Sequence, residues 1–170
     1  MRPTTPDQSP IVIRTALSAG DVDAIVALHD RVYGAEYGLG RRFAASVSWS
    51  IEAAVASGWP DTGGAVWLID RGSELGGSLA LTDEGDGLGR VRWFVLDPEL
   101  RGQGLGRRLV DRLLSEARAA QLAKLELDTF SALTAAAQIY RQAGFTLRWQ
   151  RETDQWGPRI QMQGYGLTLG

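Results

Sequence analysis

The chain has 170 residues, a net charge of −2, and hydrophobic and charged shares of 44% and 22%, values of an ordinary globular chain long enough to bury roughly 70% of its unfolded surface in one domain. It has no cysteine and a single histidine, His29, which excludes disulfides, thiolate or His-rich metal sites and a cysteine nucleophile, so no metal is expected. There is no basic excess for nucleic acid, no polybasic membrane patch, no apolar run of roughly 18 residues and no charged-then-apolar leader, and the expectation is a cytoplasmic protein without nucleic-acid or membrane partners.

Residues 1–9 carry Pro3 and Pro6, with Pro10 closing the run, and read as a flexible tail ahead of a single domain over 10–170. A first strand is predicted over 11–16. Ser18 and Asp21 mark a helix start, with Asp21 and Asp23 suited to the positive end of the dipole. Val22, Ile25, Val26, His29, Val32 and Tyr33 then recur at helical spacing, and this helix is expected to stop near Gly34. His29 falls on its apolar stripe and reads as a core histidine. Residues 35–40 form a short linker with two glycines. Phe43, Val47, Ile51, Ala54 and Val55 define a second amphipathic helix, ended by Gly58 and Pro60.

Residues 65–70 and 75–81 read as an antiparallel pair joined through 71–74. A glycine-rich turn over 85–89 leads into a strand over 91–96. After an Asp97-Pro98 break and a glycine loop, Leu105, Leu109, Val110, Leu113, Leu114 and Ala117 line one face of a helix over about 105–120. A strand over 124–129 follows. Ser131 is expected to cap a helix that runs through Ala143 and is closed by Gly144 in the left-handed region. Two last strands are predicted over 145–150 and 160–169. Repeats, interdomain linkers and low-complexity segments are absent from the sequence, and the pattern alone defines an α/β or α+β fold.

The stretch Arg101-Gly102-Gln103-Gly104-Leu105-Gly106-Arg107-Arg108 joins a strand to a helix. At a helix start the first N–H groups have no partner within the helix, and the aligned peptide dipoles add partial positive charge. Glycines at 102, 104 and 106 leave no side chain between that backbone and an approaching phosphate. The arginines sharpen the point, since a cation here opposes the dipole by ~0.3–1 kcal/mol at an exposed site. A bound anion would reverse that penalty; the competing reading is a tight turn with arginines in solvent. A Walker loop requires Gly-Lys-Ser/Thr and a dinucleotide fingerprint requires GxGxxG, and neither spacing is met.

The spacing Arg-x-x-Gly-x-Gly at 101, 104 and 106 resembles the acyl-CoA pyrophosphate loop of the GNAT superfamily of N-acetyltransferases. The likeness extends upstream to Val95-Leu96-Asp97-Pro98 and downstream to Ile139-Tyr140-Arg141-Gln142-Ala143-Gly144-Phe145, which resembles the family's "LYxxxGF". The resemblance implies a mixed, twisted central sheet of about seven strands with helices on both faces. It also implies acetyl-CoA as co-substrate and direct transfer of the acetyl group to a primary amine. The co-substrate would be held by Phe94, Val95, Leu96, Arg101, Gly102, Gln103, Gly104, Leu105, Gly106 and Arg107, with Ala136 as the small residue four before Tyr140.

Acyl transfer requires the donor to be held, its carbonyl polarised, the amine deprotonated and the leaving thiolate met. By the resemblance, the donor's pantetheine arm lies along Phe94, Val95 and Leu96 like an added strand, and the N–H at about Leu96 faces the thioester oxygen. One donor aimed at a developing oxyanion is worth about 2.7–4 kcal/mol. Tyr140 is implied as hydrogen-bond donor or general acid at the sulfur; the alternative is that it only packs against the sheet. The family often has Asn seven residues before this Tyr, in contact with the cofactor. Position 133 here is Leu, which cannot make that contact, and Ser131 and Thr134 are the nearby polar candidates.

Glu36 and Glu126 are the candidate bases. Glu126 shares a strand face with Asp128, and both also read as ion-pair partners of Arg90 or Arg92. Glu36 lies in the linker that borders the acceptor site in this family. Trp156 and Tyr165 are candidate walls of the acceptor pocket, and Arg41 and Arg42 read as a solvated helix start or as a greeting for an acidic substrate. A non-catalytic acyl-CoA sensor and an unrelated phosphate-binding module are the rival readings. Pairing of the late strands with a second copy stays open, as does the identity of the amine.

Overall fold

The computed structural model describes residues 9–170, so the expected tail lies, apart from Ser9, outside the described residues. The elements follow the order β1 (Ile11–Arg14), α1 (Asp21–Tyr37), α2 (Arg41–Ala56), β2 (Gly64–Arg71), β3 (Glu74–Gly85), β4 (Leu88–Leu96), α3 (Leu105–Ala119), β5 (Lys124–Phe130), α4 (Thr134–Gln142), β6 (Thr146–Thr153) and β7 (Ile160–Thr168). A single 3₁₀ turn, Pro98–Leu100, not anticipated from the sequence, follows β4; Asp97 begins it by accepting from the Glu99 N–H.

The strands form one seven-stranded sheet in the order β1-β2-β3-β4-β5-β7-β6. All neighbours are antiparallel except β4 and β5, which the α3 crossover makes parallel. The α3 stripe is buried as its spacing required: Leu109, Leu113 and Ala117 are wholly covered, and Leu105, Val110 and Leu114 nearly so. With Leu79, Leu125, Leu127 and Tyr140 they form the core of one sheet face. Each such large side chain contributes about 1.5–3 kcal/mol relative to exposure. On the other face, Ile25, Val47 and Ile51 of α1 and α2 pack on Val66, Leu68 and Trp93.

Two expectations change. The first helix does not stop at Gly34. It continues to Tyr37 and ends at Gly38, which is left-handed at φ 66 and whose N–H bonds back to Gly34. Glu36 therefore sits in a helical turn and not in a linker. Ser131 is no cap: α4 begins at Thr134 after Leu133, without a side-chain cap bond. The last two strands form as predicted; β7 pairs with β5 on one side and on the other with β6, the sheet's edge, which is exposed along almost its whole length.

Candidate active site

The site begins with a fault in the sheet. On β3, Ser78 opposes Val95 and Ala80 opposes Arg92, so Leu79 faces two residues, Trp93 and Phe94. This is a β-bulge, and Trp93 adopts φ 48 to make it. Its surroundings hold it there. The Ser78 hydroxyl donates to the Trp93 carbonyl at 2.6 Å, the indole N–H donates to Ser50 at 2.9 Å, and the ring meets Trp59 edge-on. Beyond the bulge, β4 and β5 no longer pair: their parallel register covers only residues 88–90 against 124–126. β5 stays with β7 up to Phe130, so the C-terminal halves of β4 and β5 splay apart.

A cavity of about 740 Å³ fills the split. One side is bordered by Leu127 and Thr129 of β5, by Ala136, Ile139 and Tyr140 of α4, and by the glycine loop. The other is bordered by Tyr33 and Tyr37 of α1, Phe43 of α2, Phe130, and Trp156 between the last strands. The aromatic rings on that second side meet edge to face, Tyr33 on Phe43 and Phe130, and Phe43 on Trp156. Tyr33 also donates its hydroxyl to the Phe94 carbonyl at 2.9 Å. The cavity thus passes through the sheet, joining its two faces.

Phe94, Val95 and Leu96 line the split. The Asp97 N–H bonds to Gly76 on β3 at 2.7 Å, so by strand alternation the Leu96 N–H faces away from β3, into the opening. At the loop, Gly102 and Gly104 are left-handed, at φ 78 and 76, and a Cβ at either would meet no protein atom within 4 Å. Gly104 precedes α3 without a side-chain cap. Among the described residues, no acceptor pairs with the backbone N–H groups of residues 102–107; the nearest bonds are Arg101 N–H to Pro98 and Arg108 N–H to Gly104. Gly106 is needed for a different reason: a Cβ would press on Ile139 at 3.0 Å and Phe94 at 3.2 Å.

The arginines are less free than the sequence suggested. Arg101 is held by Glu36, with contacts of 2.9 and 2.6 Å, and also donates to the Leu96 carbonyl at 3.2 Å. Arg107 reaches Gln142 at 2.9 Å and Asp111 at 3.4 Å. Gln103 turns back to the Glu99 carbonyl and, unlike the other loop residues expected at the site from Arg101 to Arg107, does not border the cavity.

Tyr140 is buried, its ring set among Phe94, Phe145 and Tyr165. It borders the cavity, and among the described residues its hydroxyl has no hydrogen-bond partner. Burial pushes that hydroxyl above the ordinary tyrosine range. Ala136 borders the same space, as do Leu133 and Thr134.

Glu36 and Glu126, the expected bases, do not line the cavity. Hydrogen bonding to Arg101 holds the Glu36 carboxyl below the usual glutamate range, which makes it a weak base. Glu126 pairs with Arg90 at 3.3 Å. Asp128, also within 3.6 Å of Arg90, is the carboxylate that borders the cavity. His29 borders it too but is buried, with Nδ1 donating to the Ile25 carbonyl at 2.8 Å; desolvation lowers its pKa to about 4. Trp156 borders the cavity; Tyr165 does not, being wholly buried in the core beneath α4, where its hydroxyl accepts a bond from Arg141 at 3.1 Å. Arg41 and Arg42 lie exposed in the first turn of α2.

The site is thus framed by a split mixed sheet with an uncapped glycine loop at its mouth, in an α/β fold. Residues 30–145 match the Acetyltransferase (GNAT) family, and the chain belongs to that family. Solved structures agree in fold. An acetyltransferase from Streptococcus agalactiae 2603 aligns with a TM-score of 0.74 at 22% identity, over 94% of this chain and 98% of that one. The yncA protein of Salmonella typhimurium, solved with its cofactor acetyl-CoA, aligns with a TM-score of 0.69 at 21% identity, over 94% of both chains. In sequence, an IAA acetyltransferase of Azospirillum brasilense is 40% identical over 72 residues, or 42% of this chain and 46% of that protein. The chain thus matches less than half the length of that relative.

Proposed function

We propose that the protein transfers an acetyl group from acetyl-CoA to a primary amine by direct attack. The observation that carries this reading is the run of unpaired backbone N–H groups over residues 102–107, opening onto a cavity that crosses the sheet. Such donors at a helix start bind a diphosphate without any charged side chain. The glycine conformations at 102 and 104 keep the backbone bare. The residues present therefore fit the donor that the family uses, and the solved relative with acetyl-CoA supports the same assignment.

The thioester supplies an activated acyl carbon; the chain's own groups do the rest. Phe94, Val95 and Leu96 lie beyond the pairing of β4 with β5 and offer the arm of the donor an edge with no neighbouring strand, its Phe94 and Leu96 carbonyls already accepting from Tyr33 and Arg101. The Leu96 N–H is aimed where negative charge builds on a thioester oxygen, a contribution of about 2.7–4 kcal/mol for one such donor. Tyr140 meets the departing sulfur. A thiol titrates near ~8.5 and a tyrosine near ~10, and burial raises Tyr140 further. Full proton transfer from Tyr140 to the thiolate is therefore uphill, and its role is that of a hydrogen-bond donor to the sulfur. The amine enters from the aromatic side of the split. Asp128, bordering the cavity there, takes its proton directly or through water. Glu36 then acts on the site through Arg101, and Glu126 through Arg90, which it shares with Asp128.

Two measurements test this. Calorimetric titration with coenzyme A should give a saturable heat that inorganic phosphate does not reproduce. A panel of amines with acetyl-CoA, followed by release of free thiol, should identify at least one acceptor. Coenzyme A binding with no turnover on any amine would favour the sensor reading instead.

A further inference from the structure

Among the described residues, the buried side-chain polar atom left without a hydrogen-bond partner is Thr129 Oγ1. Thr129 is 5% exposed and borders the cavity where β5 has parted from β4. Buried hydroxyls in native proteins are almost always paired, and one that is not asks for a missing partner. Its position says on which side that partner arrives. Leu125 and Leu127, at two-residue spacing along β5, lie in the core beneath α3 and α4 together with Tyr140. Strand alternation puts Thr129 on that same face, the face of the glycine loop, while Asp128 faces the aromatic side. The side chains of that core that border the cavity beside Thr129, Leu127, Ala136 and Ile139, are apolar, and Thr134 at the start of α4 is exposed. A ligand passing from the loop toward Leu96 and Tyr140 must cross this lining, and Thr129 is its buried polar group.

We propose that Thr129 is a binding residue for the acyl donor, its hydroxyl pairing with an amide group of the arm that joins the pyrophosphate to the thioester. The assignment rests on the acetyl-CoA reading above. A hydroxyl both donates and accepts, so it can serve either the N–H or the carbonyl of an amide. Leu133, which opens α4 on the same cavity, has no polar atom in its side chain to do this. Thr129 supplies from the strand what Leu133 withholds from the helix.

The test uses Thr129→Val, which keeps the shape and removes the hydroxyl, and Thr129→Ser, which keeps the hydroxyl. The two ligands are coenzyme A and adenosine 3′,5′-diphosphate, which lacks the arm. Thr129→Val should bind coenzyme A about tenfold more weakly, as expected for one lost buried hydrogen bond. It should bind the diphosphate like the wild type and melt at the same temperature or higher without ligand, because an unpaired hydroxyl has gone. Thr129→Ser should restore coenzyme A affinity to within about threefold. Unchanged coenzyme A affinity in Thr129→Val would overturn the proposal, as would equal losses for both ligands or a lowered melting temperature that marks an internal partner. A wild type that binds neither ligand would overturn the reading of the loop itself, a distinct outcome.

Discussion

Glu36, in the last turn of α1, grips Arg101 at the entrance of the glycine loop through two contacts of 2.9 and 2.6 Å. The pair ties the helix that borders the aromatic side of the cavity to the loop proposed to hold the donor. Arg101 in turn covers the Leu96 carbonyl at 3.2 Å. One ion pair thus links the aromatic side of the cavity, the loop and the strand edge. Its worth in stability is small, because Arg101 is 40% and Glu36 29% exposed; exposed pairs contribute up to about 1 kcal/mol. Its sign with pH is fixed. The Glu36 carboxyl titrates below its ordinary 4.5 in the folded protein, so its stabilisation is complete above that value and is lost as pH falls through the lower folded value. Melting curves of wild type and Glu36→Gln should differ by a small constant amount from about pH 5 to 8 and converge on further acidification. A gap that widens in acid would contradict the pairing.

The glycine loop makes a sharper prediction. Replacing Gly104 by Ala places a Cβ in empty space but forces a left-handed residue at φ 76, at a cost of about 1–2 kcal/mol. For a domain of this size that lowers the melting temperature by roughly 2–8 °C. Coenzyme A affinity should fall more steeply, by tenfold or more, because the methyl group stands where the diphosphate approaches. Stability loss without any loss of coenzyme A affinity would mean the backbone N–H groups are not the binding surface.

Tyr140→Phe separates chemistry from packing. The ring's contacts with Phe94, Phe145 and Tyr165 survive the change, and no internal hydrogen bond is lost among the described residues. Stability and coenzyme A affinity should stay within about threefold of wild type in equilibrium terms, while turnover should fall by about 10²–10³, the range for removing one hydrogen-bond donor aimed at developing negative charge. Steady-state rates with saturating acetyl-CoA and any accepted amine provide the measure. Turnover within twofold of wild type would leave Tyr140 a packing residue.

The sequence made some of this legible and hid the rest for identifiable reasons. The α3 stripe and the loop were readable because helical spacing and clustered glycines are local signals, and Gly144 closes α4 at φ 102 for the same reason. Gly34 misled because a glycine inside a helix costs only about 1 kcal/mol, less than the packing of Tyr33 and Tyr37 against Phe43 and Phe130 returns. The bulge at Trp93 carried no local signal: a tryptophan at φ 48 is held by Ser78, Ser50 and Trp59, all distant in sequence. The split between β4 and β5 follows from that bulge, and so does the cavity. Glu36 looked like a free carboxylate for a similar reason, since its partner Arg101 lies 65 residues away. The lone hydroxyl of Thr129 is equally a product of tertiary structure, visible only once its neighbours are known.

His29 gives the chain a second acid-sensitive element, of opposite charge type. It is 3% exposed, and desolvation lowers its pKa from 6.5 to about 4, only partly offset by the bond to the Ile25 carbonyl. It folds as the neutral ring with the proton on Nδ1, since a carbonyl can only accept. Between those two values the unfolded chain binds the proton and the folded one does not, so stability rises with pH across the interval. The contribution is complete above about pH 6.5 and drains away as pH falls toward 4, by an amount on the order of 3 kcal/mol. His29→Gln retains a donor for the Ile25 carbonyl and cannot titrate. Denaturant midpoints should therefore fall more steeply for wild type than for His29→Gln between pH 6.5 and 4, and run parallel above pH 7. Parallel curves throughout would show that His29 charges within the fold, and that the space it borders is wetter than its burial implies.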